Sequence, residues 1–279
     1  MAVSKSVMAI GMIVIAIVAF AAGFVISPYI TPEAKPKTIW ETIQERGTIK
    51  VGSSPDWPPY EYLNVTTGEF TGFEVELTEM IAEQLNLTVE WIEKNFDLII
   101  PEVRDRTLDL GVSGFSIYAD RLEVVQFTMH HSITEGQIIM QKSKRDTLGI
   151  TEIDSLEELE TLGGGLKCGV QVGTTQQAEL QEKAPSALVT YADYLAALDA
   201  LDLGAIDCIY AETPVTSWWI LEAEEAGDPA LVVIYRRSYY PVAFVAHQDA
   251  DTFVAKINGA LSEIIAEGKL DELKAKWKA

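Results

Sequence analysis

Hydrophobic residues recur along the chain with two spacings, every second position and every third or fourth position, which are typical of strands and of helices respectively. Residues 48–52 (TIKVG) alternate as a strand does, and residues 74–86 place their apolar side chains at helical spacing before a second strand-like stretch, 87–92. This strand, helix, strand order then repeats. The pattern therefore predicts an α/β fold with a largely parallel, layered sheet.

The same two patterns continue to the end of the chain. Helices are predicted over 38–46, 98–106, a short segment after Ser155, a segment beginning near 175, 194–203, 218–226 and 252–277 with an interruption at Gly268. Strands are predicted over 108–113, 137–141, 166–172, 205–211 and 240–246. Because the pattern restarts after the polar stretch 142–147, we expect two α/β lobes with a cleft between them, where ligand sites tend to lie.

One segment departs from these patterns. Residues 7–26 form an uninterrupted run of 20 apolar or small residues without a charge, long enough as a helix to cross roughly 30 Å of hydrocarbon. We expect residues 1–27 to be a membrane anchor or a cleaved signal peptide, the latter because Ala19, Phe20 and Ala21 have the small-x-small pattern of a cleavage site; a buried core helix is the third alternative. Residues 28–47 would be a linker and a short helix, and everything after them would lie outside the cytoplasm.

Composition narrows the class of protein. With 48% apolar and 23% charged residues, the chain of 279 residues can bury a large core. Its 42 acidic and 21 basic side chains give a formal charge of -21, which excludes a nucleic-acid partner because such a surface repels phosphate. Cys168 and Cys208 are too few for a disulfide scaffold and are expected either to pair or, preferably, to be two buried thiols.

The first group of candidate site residues lies in residues 53–62 (SSPDWPPYEY). Two adjacent prolines stiffen the loop that carries Trp57 and Tyr60, so an aromatic ring can be held over a ligand at a low cost in entropy. We assign Trp57 to the ligand. Tyr60 and Tyr62 are expected to belong to the core instead.

The second group lies in residues 113–121 (SGFSIYADR), just after a predicted strand. Gly114 between nearby serines exposes backbone and hydroxyl groups, and the planar guanidinium of Arg121 is suited to bidentate recognition of a carboxylate. The alternative is that Arg121 is simply a solvated surface residue.

The third group combines residues 169–175 (GVQVGTT) with Glu212 at the end of a predicted strand. Thr174 and Thr175 enter a helix whose N-terminus favours an anion, whereas Glu212 favours a cation. An amino acid carries both charges, so an arginine on one lobe and a carboxylate on the other would favour closure of the cleft around it. The alternative is that Glu212 caps a surface helix.

These segments resemble, in the right order, those of the polar amino acid binding proteins of ABC importers, the family 3 extracellular solute-binding proteins with the type 2 periplasmic binding fold. The resemblance covers residues 38–277. It rests on the segments VGSSPDWPPYEY, GEFTGFEVEL, SGFSIYADR, GVQVGTT, ETP in place of the usual DTP, and KINGALSEIIAEGKLDELKAKW.

The resemblance implies a ligand site. It implies that Trp57 and Phe96 hold the ligand side chain between two rings, and that Glu212 binds the α-ammonium group. The residues implied to hold the α-carboxylate are Ser113, Gly114, Ser116, Arg121 and Thr174. Gln171 stands where some members place a lysine and Thr175 where some carry glycine. Ser54 stands where members that select basic amino acids carry an aspartate, so we expect a neutral polar or acidic ligand.

The resemblance also implies the organisation and the partners. Lobe 1 would comprise 48–136 and 240–279, lobe 2 would comprise 137–239, and the hinge strands would be 137–141 and 238–242. We expect an extracytoplasmic, monomeric receptor without catalytic activity, cofactor or metal, which passes an amino acid to an ABC permease and its ATPase. The alternatives are an enzyme similar to the cyclohexadienyl dehydratases, which act on prephenate or arogenate, with Glu212 or Asp56 as general acid, and a ligand-sensing ectodomain.

Two further features are expected to carry no function. His130 and His131 are adjacent, so on a strand they point to opposite faces and make a poor metal site; they are interpreted as part of a polar loop. Residues 163–165 (GGG) precede a strand, whereas a phosphate-binding loop would follow one, so we interpret them as a turn.

Overall fold

The structure, a computed structural model, describes residues 36–227 and 230–279. The apolar run 7–26, and with it the choice between anchor, signal peptide and core helix, lies outside these residues. No helix in the described ranges combines the length and the apolar character needed to cross a membrane. Residues 38–279 form one unit by their contacts.

Strands and helices alternate through this unit. The strands are β1 Thr48–Ser53, β2 Asp56–Trp57, β3 Glu61–Leu63, β4 Phe70–Thr71, β5 Thr88–Glu93, β6 Leu110–Gly111, β7 Gln126–Phe127, β8 Ser132–Gln141, β9 Cys168–Gln171, β10 Leu188–Tyr191, β11 Cys208–Glu212, β12 Leu231–Val242 and β13 Val245–Ala246. The α-helices are α1 Ile39–Arg46, α2 Phe73–Gln84, α3 Phe96–Arg104, α4 Ala119–Leu122, α5 Lys142–Leu148, α6 Thr175–Lys183, α7 Tyr194–Asp202, α8 Thr213–Glu225, α9 Asp251–Ala266 and α10 Lys269–Trp277. Short 3₁₀ helices cover Leu156–Glu160 and Leu162–Gly164.

The strands of the described residues form two five-stranded sheets, in the orders β5-β1-β6-β13-β7 and β10-β9-β11-β8-β12, and a small sheet β2-β3-β4. β1 is parallel to β5 and β6, and β9 is parallel to β10 and β11, as the repeating strand, helix, strand pattern predicts. Antiparallel strands complete each large sheet. The fold is therefore mixed α/β with two lobes, one around each large sheet.

β8 and β12 run side by side between the lobes. They pair in antiparallel fashion from Ser132 opposite Val242 to Gln141 opposite Leu231, so both are longer than the predicted hinge segments. At one end, Ile117 N donates to Pro241 O and His131 N donates to Val242 O, which ties the strand pair to the first lobe. At the other end the same strands belong to the second sheet.

Capping residues in the sequence define the ends of two predicted helices. Thr38 accepts a hydrogen bond from Glu41 N while the Glu41 side chain accepts one from Thr38 N, so a capping box starts α1. Gly47 ends the same helix with a φ of 73°, a left-handed conformation that favours glycine. A second capping box joins Ser155 and Glu158 at the predicted short helix, which is a 3₁₀ helix.

The structure corrects the interpretation of 142–147 as a merely polar stretch, because Lys142–Leu148 is the helix α5. None of its residues is buried, so it has no apolar face, and a search for hydrophobic periodicity does not detect it. Its left-handed C-cap, Gly149, was the available signal. α3 also begins at Phe96, two residues before the predicted start, which matters because Phe96 is a candidate site residue.

The two cysteines are free thiols in the core of the second lobe. Cys168 and Cys208 lie opposite each other on the neighbouring parallel strands β9 and β11, and both are fully buried. The preferred expectation of two buried thiols is confirmed.

Candidate functional site

A partly open pocket lies where residues from both large sheets meet. Every residue that the sequence analysis assigned to the ligand lines it, although these residues come from widely separated segments. The lining residues are Asp56, Trp57, Phe96, Ser113, Gly114, Ser116, Arg121, Gln171, Thr174, Thr175, Gln176, Tyr194 and Glu212.

Trp57 and Phe96 supply the aromatic walls. Trp57 ends β2 and packs edge-on against Tyr60 with ring centroids 4.9 Å apart. Phe96 begins α3, and its ring stacks on Phe115 at 4.8 Å. Gly114 lies directly against the Trp57 ring; its φ is +58°, and a Cβ atom at this position would overlap the ring. Glycine is therefore required here on two grounds, backbone conformation and space.

Arg121 is buried rather than solvated. It lies in the short helix α4, where Nη1 donates to Ser116 O and Nη2 donates across the cleft to Gly173 O, both at 3.0 Å. Its guanidinium carbon lies 5.5 Å from the ring centroids of both Phe96 and Phe115, a cation–π geometry. Burial lowers the pKa of Arg121, and the carboxylate of Glu212 acts in the opposite direction.

Glu212 stands at the end of β11 and is the N-cap residue of α8, but its side chain makes no capping hydrogen bond. The carboxylate instead enters the pocket, where it accepts hydrogen bonds from Ser116 Oγ at 2.7 Å, from Gln176 Nε2 at 3.0 Å and from Thr134 Oγ1. Burial raises the pKa of Glu212; the hydrogen bonds and Arg121 lower it. The alternative interpretation, in which Glu212 caps a surface helix, is wrong because the side chain is buried.

The threonines at the start of α6 are held by their own turn. Thr174 is the N-cap: its hydroxyl accepts from Gln177 N at 3.2 Å and lies 2.7 Å from Gln171 O, to which it donates. Thr175 Oγ1 donates to Gln176 Oε1 at 3.1 Å. The helix N-terminus therefore faces the pocket at the place where the sequence predicts an anion site.

Asp56, Gln176 and Tyr194 line the pocket without having been assigned to the ligand. Asp56 accepts hydrogen bonds from Ser54 Oγ at 2.7 Å, from Gln171 Nε2 at 2.8 Å and from Tyr194 N at 2.8 Å. Burial is the main reason why its pKa is raised. From the sequence, Asp56 is expected only as a general acid in the enzyme alternative. Its position next to Trp57 was the signal that could have identified it.

Behind the turn of Ser113 and Gly114 lies a second group of titratable side chains, all fully buried: Glu61, Glu74 and His131, here called the acid–histidine cluster. Glu74 Oε2 accepts from Gly114 N at 2.9 Å, and Glu74 Oε1 lies 2.8 Å from His131 Nε2. Ser113 Oγ lies 3.3 Å from Glu61 Oε1. The interpretation of His131 as part of a polar loop is wrong because its side chain is buried and paired with Glu74, whereas His130 is exposed.

No group of three or more His, Cys, Asp or Glu side chains in the described ranges is arranged to hold a metal ion. The glycines 163–165 form a turn around a 3₁₀ helix, as expected. What the pocket offers is one buried guanidinium, two buried carboxyl groups, a helix N-terminus and three aromatic side chains.

Comparisons with known proteins agree with this architecture. The ABC transporter arginine-binding protein 1 of Escherichia coli K12 is 25% identical over 232 residues, which cover 82% of this chain and 90% of that protein. The arginine-binding protein ArgT of Corynebacterium glutamicum is 27% identical over 261 residues, covering 89% and 81% respectively. A probable histidine-binding protein of Campylobacter jejuni is 26% identical, covering 82% of this chain and 84% of that protein.

Solved structures show the same fold. An ancestral arginine-binding protein bound to arginine has a TM-score of 0.74 at 26% identity, covering 84% of this chain and 99% of its own. An ancestral amino acid-binding protein described as a precursor of cyclohexadienyl dehydratase has a TM-score of 0.75 at 26% identity, covering 85% and 98%. The family model of the bacterial extracellular solute-binding proteins, family 3, matches residues 49–279, and the chain belongs to that family.

Proposed function

We propose that this protein is an extracytoplasmic receptor that binds an amino acid in the pocket between its lobes and delivers it to an ABC importer. The observation that carries the proposal is the burial of Arg121 and Glu212 in the same pocket. A buried pair of opposite charges at one site matches the two charges that every amino acid carries on its α-carbon. Membership of an extracellular solute-binding family supports the location and the transporter as partner.

Several pocket residues have a proposed role in holding the ligand. Arg121 would bind the α-carboxylate together with the N-terminus of α6 at Thr174 and Thr175, and Glu212 would bind the α-ammonium group. The rings of Trp57 and Phe96 would enclose the ligand side chain. Ser113 and Thr174 are hydrogen-bonded within the protein through their hydroxyls, so their backbone groups are the better candidates for contact with the carboxylate.

The two lobes have the proposed boundaries 48–136 plus 240–279 and 137–239. Arg121 and Glu212 belong to different lobes in this division. A ligand that contacts both therefore binds the closed arrangement more tightly than the open one, and it shifts the population by that difference in affinity. The β8–β12 pair is the proposed hinge because it runs between the lobes.

Asp56 revises the expected chemistry of the ligand side chain. The resemblance to the family predicts a neutral polar or acidic ligand because Ser54 replaces an aspartate. Asp56 nevertheless brings a carboxylate to the same pocket. An acidic side chain beside it would add a second negative charge in a buried site, which is costly. We therefore propose that aspartate and glutamate bind more weakly than the other amino acids, and that Asp56→Asn reduces this difference in affinity.

The relatives named as binding arginine and histidine support an amino acid ligand, and the dehydratase precursor supports the enzyme alternative. Ser116, Thr134 and Gln176 can all donate to Glu212, which suits a carboxylate that holds an ammonium group, and none of the described residues bonded to it would act as a base. Binding without catalysis is therefore the function that we propose.

A thermal-shift screen of the full chain, purified in detergent, against the twenty amino acids tests the proposal. A ligand at about 100 times its dissociation constant adds about 2.7 kcal/mol to the free energy of unfolding, enough for a clear shift. Prephenate and arogenate belong in the same screen, with their consumption followed by absorbance. Consumption of either compound, or no shift with any amino acid, would contradict the proposed function.

A further inference from the structure

The acid–histidine cluster of Glu61, Glu74 and His131 has no role in the proposed ligand contacts. It nevertheless contacts the turn formed by Ser113 and Gly114, here called the ligand turn. Glu74 holds the backbone N–H of Gly114, and the Glu61 carboxyl lies 3.3 Å from the Ser113 hydroxyl. Ser113 and Gly114 both line the pocket. A single turn of chain therefore separates the cluster from the ligand.

The cluster also reaches the proposed hinge. His131 immediately precedes β8, and its backbone N–H donates to Val242 O at the end of β12. Ser116, on the far side of the ligand turn, forms a β-bridge with the same Val242. Glu74 is thus hydrogen-bonded to the ligand turn through one oxygen and lies against the start of a hinge strand through the other.

The charges in the cluster do not balance if both carboxyls are ionised. Glu61 and Glu74 are fully buried neighbours, and Asp56 adds a further negative charge on the pocket side. The rings of Phe73 and Phe244 pack against His131 and bring no charge, and Tyr60 is a further titratable side chain close to the two carboxyls. Burial, and the neighbouring Glu74, raise the pKa of Glu61 well above its ordinary value.

Two buried atoms of the cluster, Glu61 Oε2 and His131 Nδ1, have no hydrogen-bond partner among the described residues. Glu61 Oε2 belongs to the carboxyl that neighbours Glu74. A buried polar atom without a partner is uncommon, and a proton on this oxygen directed towards the Glu74 carboxylate would remove the deficit. Glu74 would then receive donors from Gly114, from His131 and from Glu61.

We propose that Glu61 is a positioning residue that holds a proton between itself and Glu74, and that this proton fixes the Ser113–Gly114 turn for ligand binding. Loss of the proton leaves two adjacent buried carboxylates, which repel each other and release the hold of Glu74 on Gly114 N. An α-carboxylate bound on the pocket side adds negative charge nearby and favours the protonated form. Ligand binding and protonation of Glu61 are therefore linked, and the linkage is reciprocal.

The experiment is calorimetry of the full chain with L-arginine, or with the amino acid that gives the largest thermal shift if arginine does not bind, between pH 5 and pH 8. Two buffers of different ionisation enthalpy give the number of protons taken up on binding. We expect the wild type to take up part of a proton and its affinity to fall as the pH rises, by at most about tenfold per pH unit for one linked proton. Glu61→Gln keeps the shape and the hydrogen bonds without the proton, so it should bind with no uptake and a flat pH profile.

His130→Gln is the matched control, because it removes the exposed neighbour of His131 and should reproduce the wild-type profile. If Glu61→Gln does not fold, Ser113→Ala removes the hydroxyl between Glu61 and the turn and should reduce the uptake. Proton uptake that is unchanged in these variants, or absent in the wild type, overturns the inference about Glu61 and leaves the proposed function intact. The inference rests on the proposed function, so failure of every amino acid to bind overturns both the inference and the proposed function.

Discussion

Glu212 and Glu61 are both fully buried carboxyls near the ligand turn, and they are stabilised in opposite ways. Glu212 is surrounded by donors from both lobes, namely Ser116, Thr134 and Gln176, with the guanidinium of Arg121 in the same pocket. Glu61 has another carboxyl as its neighbour and one oxygen without a partner among the described residues. A buried carboxyl must be surrounded by donors and positive charge or remain protonated. The difference separates a group suited to bind a cation from a group suited to hold a proton.

The largest expected effect concerns Glu212 and its partner in the pocket, Arg121. Arg121→Ala and Glu212→Ala should each weaken amino acid binding by about 2–5 kcal/mol, roughly 30-fold to several thousandfold, because each leaves an opposite charge buried without its partner. Isothermal titration calorimetry measures the loss. Arg106→Ala and Glu225→Ala are matched controls on exposed side chains and should leave the affinity unchanged. Unchanged affinity in both pocket variants would rule out the assignment of these residues.

The second prediction concerns the turn that joins the two regions. Gly114→Ala and Gly68→Ala both place a side chain on a left-handed backbone, with φ values of +58° and +72°, at a cost of about 1–2 kcal/mol. Only at Gly114 does the new Cβ overlap a neighbour, the Trp57 ring. We therefore expect Gly114→Ala to lose about 1–3 kcal/mol more stability in urea unfolding, and to weaken binding. Equal losses in the two variants would mean that the ring moves aside at no cost.

The third effect, the smallest when it is counted per pH unit, is the dependence of stability on pH. The folded-state pKa of Glu61 lies above its ordinary value of 4.5, so the stability contributed by its proton is fully present below that value and is lost as the pH rises through the folded-state pKa. Relative to Glu61→Gln, the wild type should lose up to about 1.4 kcal/mol per pH unit over that window. Urea unfolding between pH 4 and pH 8 measures the difference. Glu179→Gln, a buried glutamate that accepts from two tyrosine hydroxyls, is the control for the substitution itself. A constant difference between wild type and Glu61→Gln would mean that the pKa of Glu61 is the same in the folded and unfolded states, which contradicts the inference.

Much of the pocket was predictable because its residues follow strands or begin helices that local patterns identify. Trp57, Thr174 and Glu212 each stand at such an end, Arg121 lies in a segment after a predicted strand, and the structure brings them around one pocket. Asp56 was not predicted as a pocket residue because the resemblance to the family places the residue that selects basic ligands at Ser54. Its hydrogen bonds to Gln171 and Tyr194 join residues 115 and 138 positions apart, which no local pattern relates.

The acid–histidine cluster was not predictable for the same reason. Glu74 lies in the first turn of an amphipathic helix, where an acidic residue is ordinarily explained by the helix dipole. His131 directly follows the exposed His130, and nothing in the local sequence distinguishes the buried histidine from the exposed one. Their pairing joins positions 57 residues apart.

By itself, the sequence determined the order of strands and helices, the acidic surface and the residue types at the strand ends, because these depend on spacing and composition within short segments. The tertiary structure decided which side chains are removed from water and which groups they meet there. Burial makes a charge costly, and the cost depends on donors supplied by distant segments. Hence Glu212 and Glu61, the same residue type in the sequence, differ in the fold: one is surrounded by donors and the other lies beside a second carboxyl.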